Sequence, residues 1–114
     1  MVNDGRTYYK CECTSYAADK MAEGGVAASK YQKLHDASQW KTNAKALGVA
    51  VDTIPKVHDV AWFSGHVAYV ESVDSKGNIT VSEYNWSTAY GYGTRPLNKG
   101  SSSYPLYFIH FGAK

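Results

Sequence analysis

Cys11 and Cys13 stand one residue apart at the mouth of an amphipathic stretch, and four histidines follow at positions 35, 58, 66 and 110. A thiol and an imidazole are the raw material of three different chemistries. A disulfide between Cys11 and Cys13 closes almost no loop and has poor geometry for an unstrained bridge. A zinc site wants a further pair of Cys or His ligands at recognisable spacing, and these histidines are scattered. The third chemistry is nucleophilic. A thiol at a helix N-terminus is favoured as thiolate, because unpaired N–H groups and the helix dipole stabilise negative charge there. Cys13 is the one placed at the first turn. A lone cysteine is by default a buried packing residue, so the nucleophilic reading stands or falls on a base and on a partner for that base.

His66 is the best-placed base. It opens a strand directly after Ser64-Gly65, where glycine permits a tight approach and leaves the ring at a strand end. His35 lies in a polar connection, and His110, within Phe108-Ile109-His110-Phe111, reads as a packed or half-exposed strand residue. His58, ahead of Asp59 at a strand start, is open to either reading. Along Ile79-Thr80-Val81-Ser82-Glu83-Tyr84-Asn85 the strand period of two puts Ile79, Val81, Glu83 and Asn85 on one face. A carboxylate and an amide thus follow two core residues, which is also how a strand running out of the core into water looks. Register decides. With Ser72 opposite Ile79, Ala68 faces Glu83 and His66 faces Asn85, with Glu83 diagonal to the ring. An odd-numbered hairpin loop without a bulge would turn Glu83 and Asn85 to the wrong face.

These side chains need elements to hold them. Cys13, Tyr16, Ala17 and Met21 recur at three- and four-residue steps until Gly24-Gly25, which predicts a helix over 13–23. A second helix is expected over 36–48, with Trp40, Ala44 and Leu47 on one face and Gly48 as its C-terminal cap. After Pro55 the texture turns β-branched and aromatic, and strands are expected over 60–63, 66–73, 79–85, 90–96 and 106–111. Residues 74–78 form a hairpin loop and 98–103 a surface loop. Helices followed by a run of antiparallel strands define an α+β domain.

Composition bounds the rest. The chain has 114 residues, the size of one domain, and a chain that long can bury about two-thirds of its unfolded surface without a metal or disulfide framework. Hydrophobic residues at 44% and charged residues at 19% mark it as globular. No apolar run approaches the length of a membrane span, and a net charge of +2 is too mild to argue for nucleic acid. The opening Met1-Val2-Asn3-Asp4-Gly5-Arg6 lacks a basic stretch followed by an apolar core, so no signal peptide is expected. Ten tyrosines against three phenylalanines suggest a wet, amphipathic surface able to grip a polar polymer.

Three runs, Cys13-Thr14-Ser15-Tyr16-Ala17-Ala18-Asp19, Val57-His58-Asp59-Val60-Ala61-Trp62-Phe63-Ser64-Gly65-His66-Val67-Ala68-Tyr69-Val70 and Ile79-Thr80-Val81-Ser82-Glu83-Tyr84-Asn85-Trp86, resemble the CHAP family. That family comprises cysteine-dependent amidohydrolases and peptidases with a papain-like α+β fold, helices packed on an antiparallel sheet. The resemblance runs nearly the whole chain in order and spacing. It implies Cys13 as nucleophile, His66 as its histidine, Glu83 as the acidic third member and Asn85 beside it.

It also implies a bacterial peptidoglycan substrate, cut at the amide between muramic acid and L-alanine or at a peptide bond of the stem or cross-bridge. The expected setting is extracellular or in the cell wall, as a secreted enzyme or a phage lysin, and the expected form a single catalytic domain acting as a monomer. Trp62, Trp86, Tyr90 and Tyr92 are candidates to line a substrate groove.

Two departures stand out: Cys11-Glu12 replaces the family's usual Gly-Gln before the nucleophile, and His58 replaces its usual Gly before the Asp. An ionised Glu12 cannot donate to an oxyanion, which leaves the Cys13 backbone N–H and another donor for that task, or a protonated Glu12, or reduced activity. No cofactor is expected. Some relatives bind calcium near the start of the domain, but Asn3-Asp4-Gly5 is too little to make a site. Two rival readings accompany the hydrolase: a CHAP-like module that binds walls or adapts without cutting, and a papain-like peptidase acting on other amides.

Overall fold

A computed structural model describes residues 13–27, 30, 39–63, 66–84 and 92–113. Among the described residues two helices precede six strands: α1 (Cys13–Glu23), α2 (Trp40–Ala46), β1 (Ala50–Asp52), β2 (Val60–Phe63), β3 (His66–Val73), β4 (Ile79–Tyr84), β5 (Tyr92–Leu97) and β6 (Tyr107–His110). The strands form one antiparallel sheet in the order β1-β6-β2-β3-β4-β5.

Both helices stop where the glycines say they should, and by the same device. After α1, Gly25 N–H donates to the Ala22 carbonyl and Val26 N–H to that of Met21. After α2, Gly48 N–H donates to Lys45 and Val49 N–H to Ala44. Gly25 and Gly48 both sit at φ 81°, the left-handed position that closes a Schellman cap and that only glycine enters without steric cost. The second helix is shorter than its expected 36–48. Leu47 lies at its C-cap and is exposed rather than buried with Trp40 and Ala44, because the chain has already left helical geometry there.

Two apolar layers lie on opposite faces of the sheet. On one, Ala17, Ala18 and Met21 of α1 and Trp40 and Ala44 of α2 pack against Val60, Trp62, Val67, Tyr69 and Ile109. On the other, Ala61, Ala68, Val70, Ile79, Val81, Leu97 and Phe108 form a second cluster, with Phe63, Val73 and Tyr104 against it. The strand period of two produces this division, and each fully buried Val, Ile, Phe or Met contributes about 1.5–3 kcal/mol. Pro96 is tolerated within β5 because that strand is the sheet's edge.

The β3–β4 hairpin sets the register on which the site depends. Its loop is odd-numbered, five residues between Val73 and Ile79, which pair with each other. Asp74 holds it closed by accepting the Lys76 and Asn78 N–H groups on Oδ1, with Gly77 at φ 84°. Ser72 therefore faces Thr80 rather than Ile79. A bulge between Val70 and Ser72 then absorbs Glu71, and from there Val70 faces Val81 and Tyr69 faces Ser82. The extra residue cancels the odd loop, so the sheet beyond the bulge has the register in which Ala68 is the next position against Glu83. β1 is an element that the periodicity did not announce: three residues, too short for a pattern, which exist as a strand because they pair with β6.

Candidate active site

His66 begins β3 opposite Phe63, the last residue of β2, and the two rings lie 5.5 Å apart between centroids. On the neighbouring strand β4, Glu83 follows Ile79 and Val81 on the face of the second apolar cluster. Its carboxylate is only 3% exposed. Nε2 of His66 donates to Oε1 of Glu83 at 2.5 Å. Arg95 of β5 grips the same carboxylate from the other side, Nε donating to Oε2 at 2.5 Å and Nη2 to Oε1 at 3.1 Å. The guanidinium carbon sits 5.4 Å from the Phe63 ring centroid, so Phe63 lies against both partners of the carboxylate.

Burial alone would raise the Glu83 carboxyl. The hydrogen bonds from His66 and Arg95, together with their charges, outweigh it and hold the group below the ordinary glutamate value. An ionised Glu83 fixes the imidazole as the tautomer protonated on Nε2, which assigns proton exchange with a nucleophile to Nδ1. This is the orienting half of a thiol–imidazole–carboxylate system.

Of the residues expected at the site, the structure thus brings His66 and Glu83 together. Cys13 is the first residue of α1. Its side chain, and Glu12, Asn85, Trp86 and Tyr90, lie outside the described residues, as do the first residues considered for calcium. Trp62 does not join His66. It points to the helix side of the sheet, is 8% exposed, and packs on Tyr107 with Lys41 Nζ 5.4 Å from its ring centroid. The strand period explains why: Trp62 and Val67 share one face, Phe63 and His66 the other. Trp62 is a core residue here, not the wall of a groove.

Arg95 escaped the sequence reading. It pairs with Val81 and so falls on the Glu83 face one step away, but the β4–β5 register that places it there cannot be read from composition.

Of the other histidines, His35 lies outside the described residues, and His58 and His110 resolve as structure. His58 has φ 76°, the left-handed region, which accounts for the glycine usual at this position. Its Nδ1 hydrogen-bonds the Tyr69 hydroxyl. At the far end of β2 from His66, His110 bridges two carboxylates, Nε2 to Asp52 Oδ1 at 2.7 Å and Nδ1 to Asp59 Oδ1 at 2.8 Å. Asp52 belongs to β1 and Asp59 immediately precedes β2, so this bridge ties the edge strand to the sheet centre.

A helix beginning at a cysteine, laid on an antiparallel sheet that presents a histidine bound to a buried carboxylate, defines the papain-like class of cysteine hydrolase fold. The comparisons with known proteins narrow this. The family model of the CHAP domain matches residues 3–85, and the chain belongs to that family.

The chain is 36% identical over 117 residues to a probable autolysin, SsaALP, of Staphylococcus aureus, covering 95% of this chain and 42% of that protein. It is 38% identical over 93 residues to the N-acetylmuramoyl-L-alanine amidase sle1 of Staphylococcus epidermidis, covering 78% of this chain and 28% of that protein. A crystal structure of an N-acetylmuramoyl-L-alanine amidase from Staphylococcus aureus superposes with a TM-score of 0.77 at 29% identity, covering 95% of this chain and 33% of that one. The chain therefore spans less than half the length of these relatives. No helix among the described residues is long and apolar enough to cross a membrane.

Proposed function

We propose that this domain is a cysteine-dependent hydrolase of an amide bond in bacterial peptidoglycan. The observation that carries the reading is the His66–Glu83 pair, a strand-end imidazole bonded at 2.5 Å to a buried, ionised carboxylate. Membership of the CHAP family and relatives named as amidases and autolysins support the substrate class. In this reading the chain acts as one catalytic unit, outside the membrane or in the wall, as the autolysin and secretory antigen relatives suggest.

The Cys13 thiolate attacks the amide carbonyl carbon, and the C–N bond breaks as His66 passes a proton from Nδ1 to the leaving amine. His66 then takes a proton from water, whose oxygen attacks the thioester, and the C–S bond breaks to regenerate the thiolate. Glu83, aided by Asn85, holds the imidazole in its productive tautomer and stabilises its cation. The Cys13 N–H at the start of α1 stabilises the oxyanion.

The test is clearance of Gram-positive cell walls by the purified domain. Cys13→Ala abolishes clearance and Cys11→Ser does not. Inactivity of Cys11→Ser alone reassigns the nucleophile. New N-terminal L-alanine among the products identifies a muramoyl amide, and other new termini identify a stem or cross-bridge peptide bond. Glu12, where a neutral donor is usual, favours a second reading, an inactive wall-binding module. Wall binding without cleavage by the wild-type domain selects it.

A further inference from the structure

We propose that Arg95 is a positioning residue that sets the proton affinity of His66 through the carboxylate they share. The inference rests on the hydrolase reading only for its effect on turnover; its electrostatic core stands on geometry. Glu83 Oε1 accepts from His66 Nε2 at 2.5 Å and from Arg95 Nη2 at 3.1 Å, which brings the imidazole and the guanidinium within about 6 Å of each other across one negative charge.

A buried carboxylate with the imidazole as sole partner would give its whole field to the imidazolium. Arg95 takes part of that field. It neutralises Glu83 while repelling a proton on His66, and its second bond, Nε to Oε2 at 2.5 Å, fixes the carboxylate plane in a two-point grip that a lysine cannot reproduce. Arg95 thus keeps Glu83 ionised without letting the pair hold the imidazolium so tightly that it no longer delivers its proton. A general acid–base group works best when its proton affinity lies near the working pH.

Arg95 is suited to this from outside the reacting centre. Its side chain is 39% exposed, against 3% for Glu83, and it reaches in from the edge strand over Phe63. Among the described residues, Glu71 on β3 accepts from Ser82 Oγ at 2.6 Å, and Asp59 and His110 engage each other beyond the opposite end of β2. On the opposite face of β3, α1 carries Asp19, Lys20 and Glu23, with Lys20 Nζ over the Tyr69 ring and 3.9 Å from Glu23.

The experiment is an NMR titration of the His66 ring in wild type, Arg95→Met and Arg95→Lys, each checked for folding by thermal melting, alongside the pH–rate profile on cell walls. Methionine keeps an apolar stem over Phe63 and removes the charge. The His66 midpoint rises by about one pH unit in Arg95→Met, the size expected for a charge at this distance in a half-wet site. Arg95→Lys restores most of that shift but not the wild-type kcat, since the charge returns without the fork. KM stays within about twofold throughout, since in this inference Arg95 acts through Glu83 rather than on substrate.

An unmoved His66 midpoint in a folded Arg95→Met protein overturns the inference, as does an equal shift in Arg95→Lys. The titration needs no substrate. A wild-type domain that leaves walls intact while Arg95→Met still moves His66 would sink the hydrolase reading and support the electrostatic role of Arg95.

Discussion

His110→Ala should destabilise the domain by an amount that depends on pH, and the dependence can be worked out from the groups around the ring. Both ring nitrogens face carboxylate oxygens, at 2.7 and 2.8 Å, so both donate and His110 is an imidazolium when Asp52 and Asp59 are ionised. Burial pulls its proton affinity down, but the bonds to Asp52 and Asp59 overcome that and leave it above the ordinary 6.5. Asp59 is more deeply enclosed, its side chain 6% exposed against 13% for His110. Burial pushes it from 3.8 up to about 6 even with His110 beside it and the Lys56 N–H on its Oδ2.

The signs follow from which state holds its proton more tightly. The folded state retains the Asp59 proton up to about pH 6, so this group makes stability fall as pH climbs from about 4 to about 6. The His110 contribution is fully present below 6.5 and is lost as pH rises through the raised folded value. Between those limits the ion pair is complete, and deleting the ring leaves a buried carboxylate without its cation. Losing one member of a buried pair costs about 3–5 kcal/mol, and the water-exposed Asp52 end reduces this to about 2–4 kcal/mol. For a domain of this size that is a fall in Tm of roughly 8–15 °C.

At pH 4 Asp59 is protonated in the folded protein and the loss shrinks to about 1–2 kcal/mol for hydrogen bonds and packing. It shrinks again above the folded titration of His110. Urea denaturation of wild type and His110→Ala from pH 4 to 9 reads the gap directly, and Asp59→Asn should flatten the decline between pH 4 and 6. A gap that stays constant with pH would refute the reasoning, since packing alone carries no such signature.

Glu83→Gln should lower kcat on cell walls by about 10²–10⁴-fold with KM little changed, because the amide no longer enforces the imidazole tautomer or stabilises its cation; a large loss of folding instead, seen by circular dichroism, would make Glu83 a structural residue. His58→Gly should be more stable than His58→Ala by about 1 kcal/mol, as both lose the bond to Tyr69 but only alanine keeps a Cβ at φ 76°. Equal denaturation midpoints for the two would mean that the backbone relaxes out of the left-handed region.

Much of the local structure was legible because its causes are local. The stop of α1 at Gly24-Gly25 and the cap at Gly48 need only a residue that tolerates positive φ. Five of the six strands among the described residues follow from their β-branched and aromatic texture; His66 stood out as a histidine opening a strand after Ser64-Gly65, and Glu83 as a carboxylate after two core positions on one strand face. β1 was not legible, since three residues carry no period and pair only because β6 is there. Trp62 was assigned to a substrate groove on its type, and the strand face on which it falls puts it in the core instead.

What the amino-acid order determined by itself is therefore the α+β class, the glycine caps that stop the two helices and the residue types able to act as nucleophile, base and orienting acid. Whether base and acid meet was left to tertiary structure. A five-residue loop would have turned Glu83 away from His66, and only the Glu71 bulge brings it back. Arg95 joins them through a strand pairing twelve residues distant, and His110 meets Asp52 and Asp59 across separations of more than fifty. Periodicity fixes which face a side chain takes within its own strand, whereas register between strands depends on every loop and bulge together, and no local pattern encodes that sum.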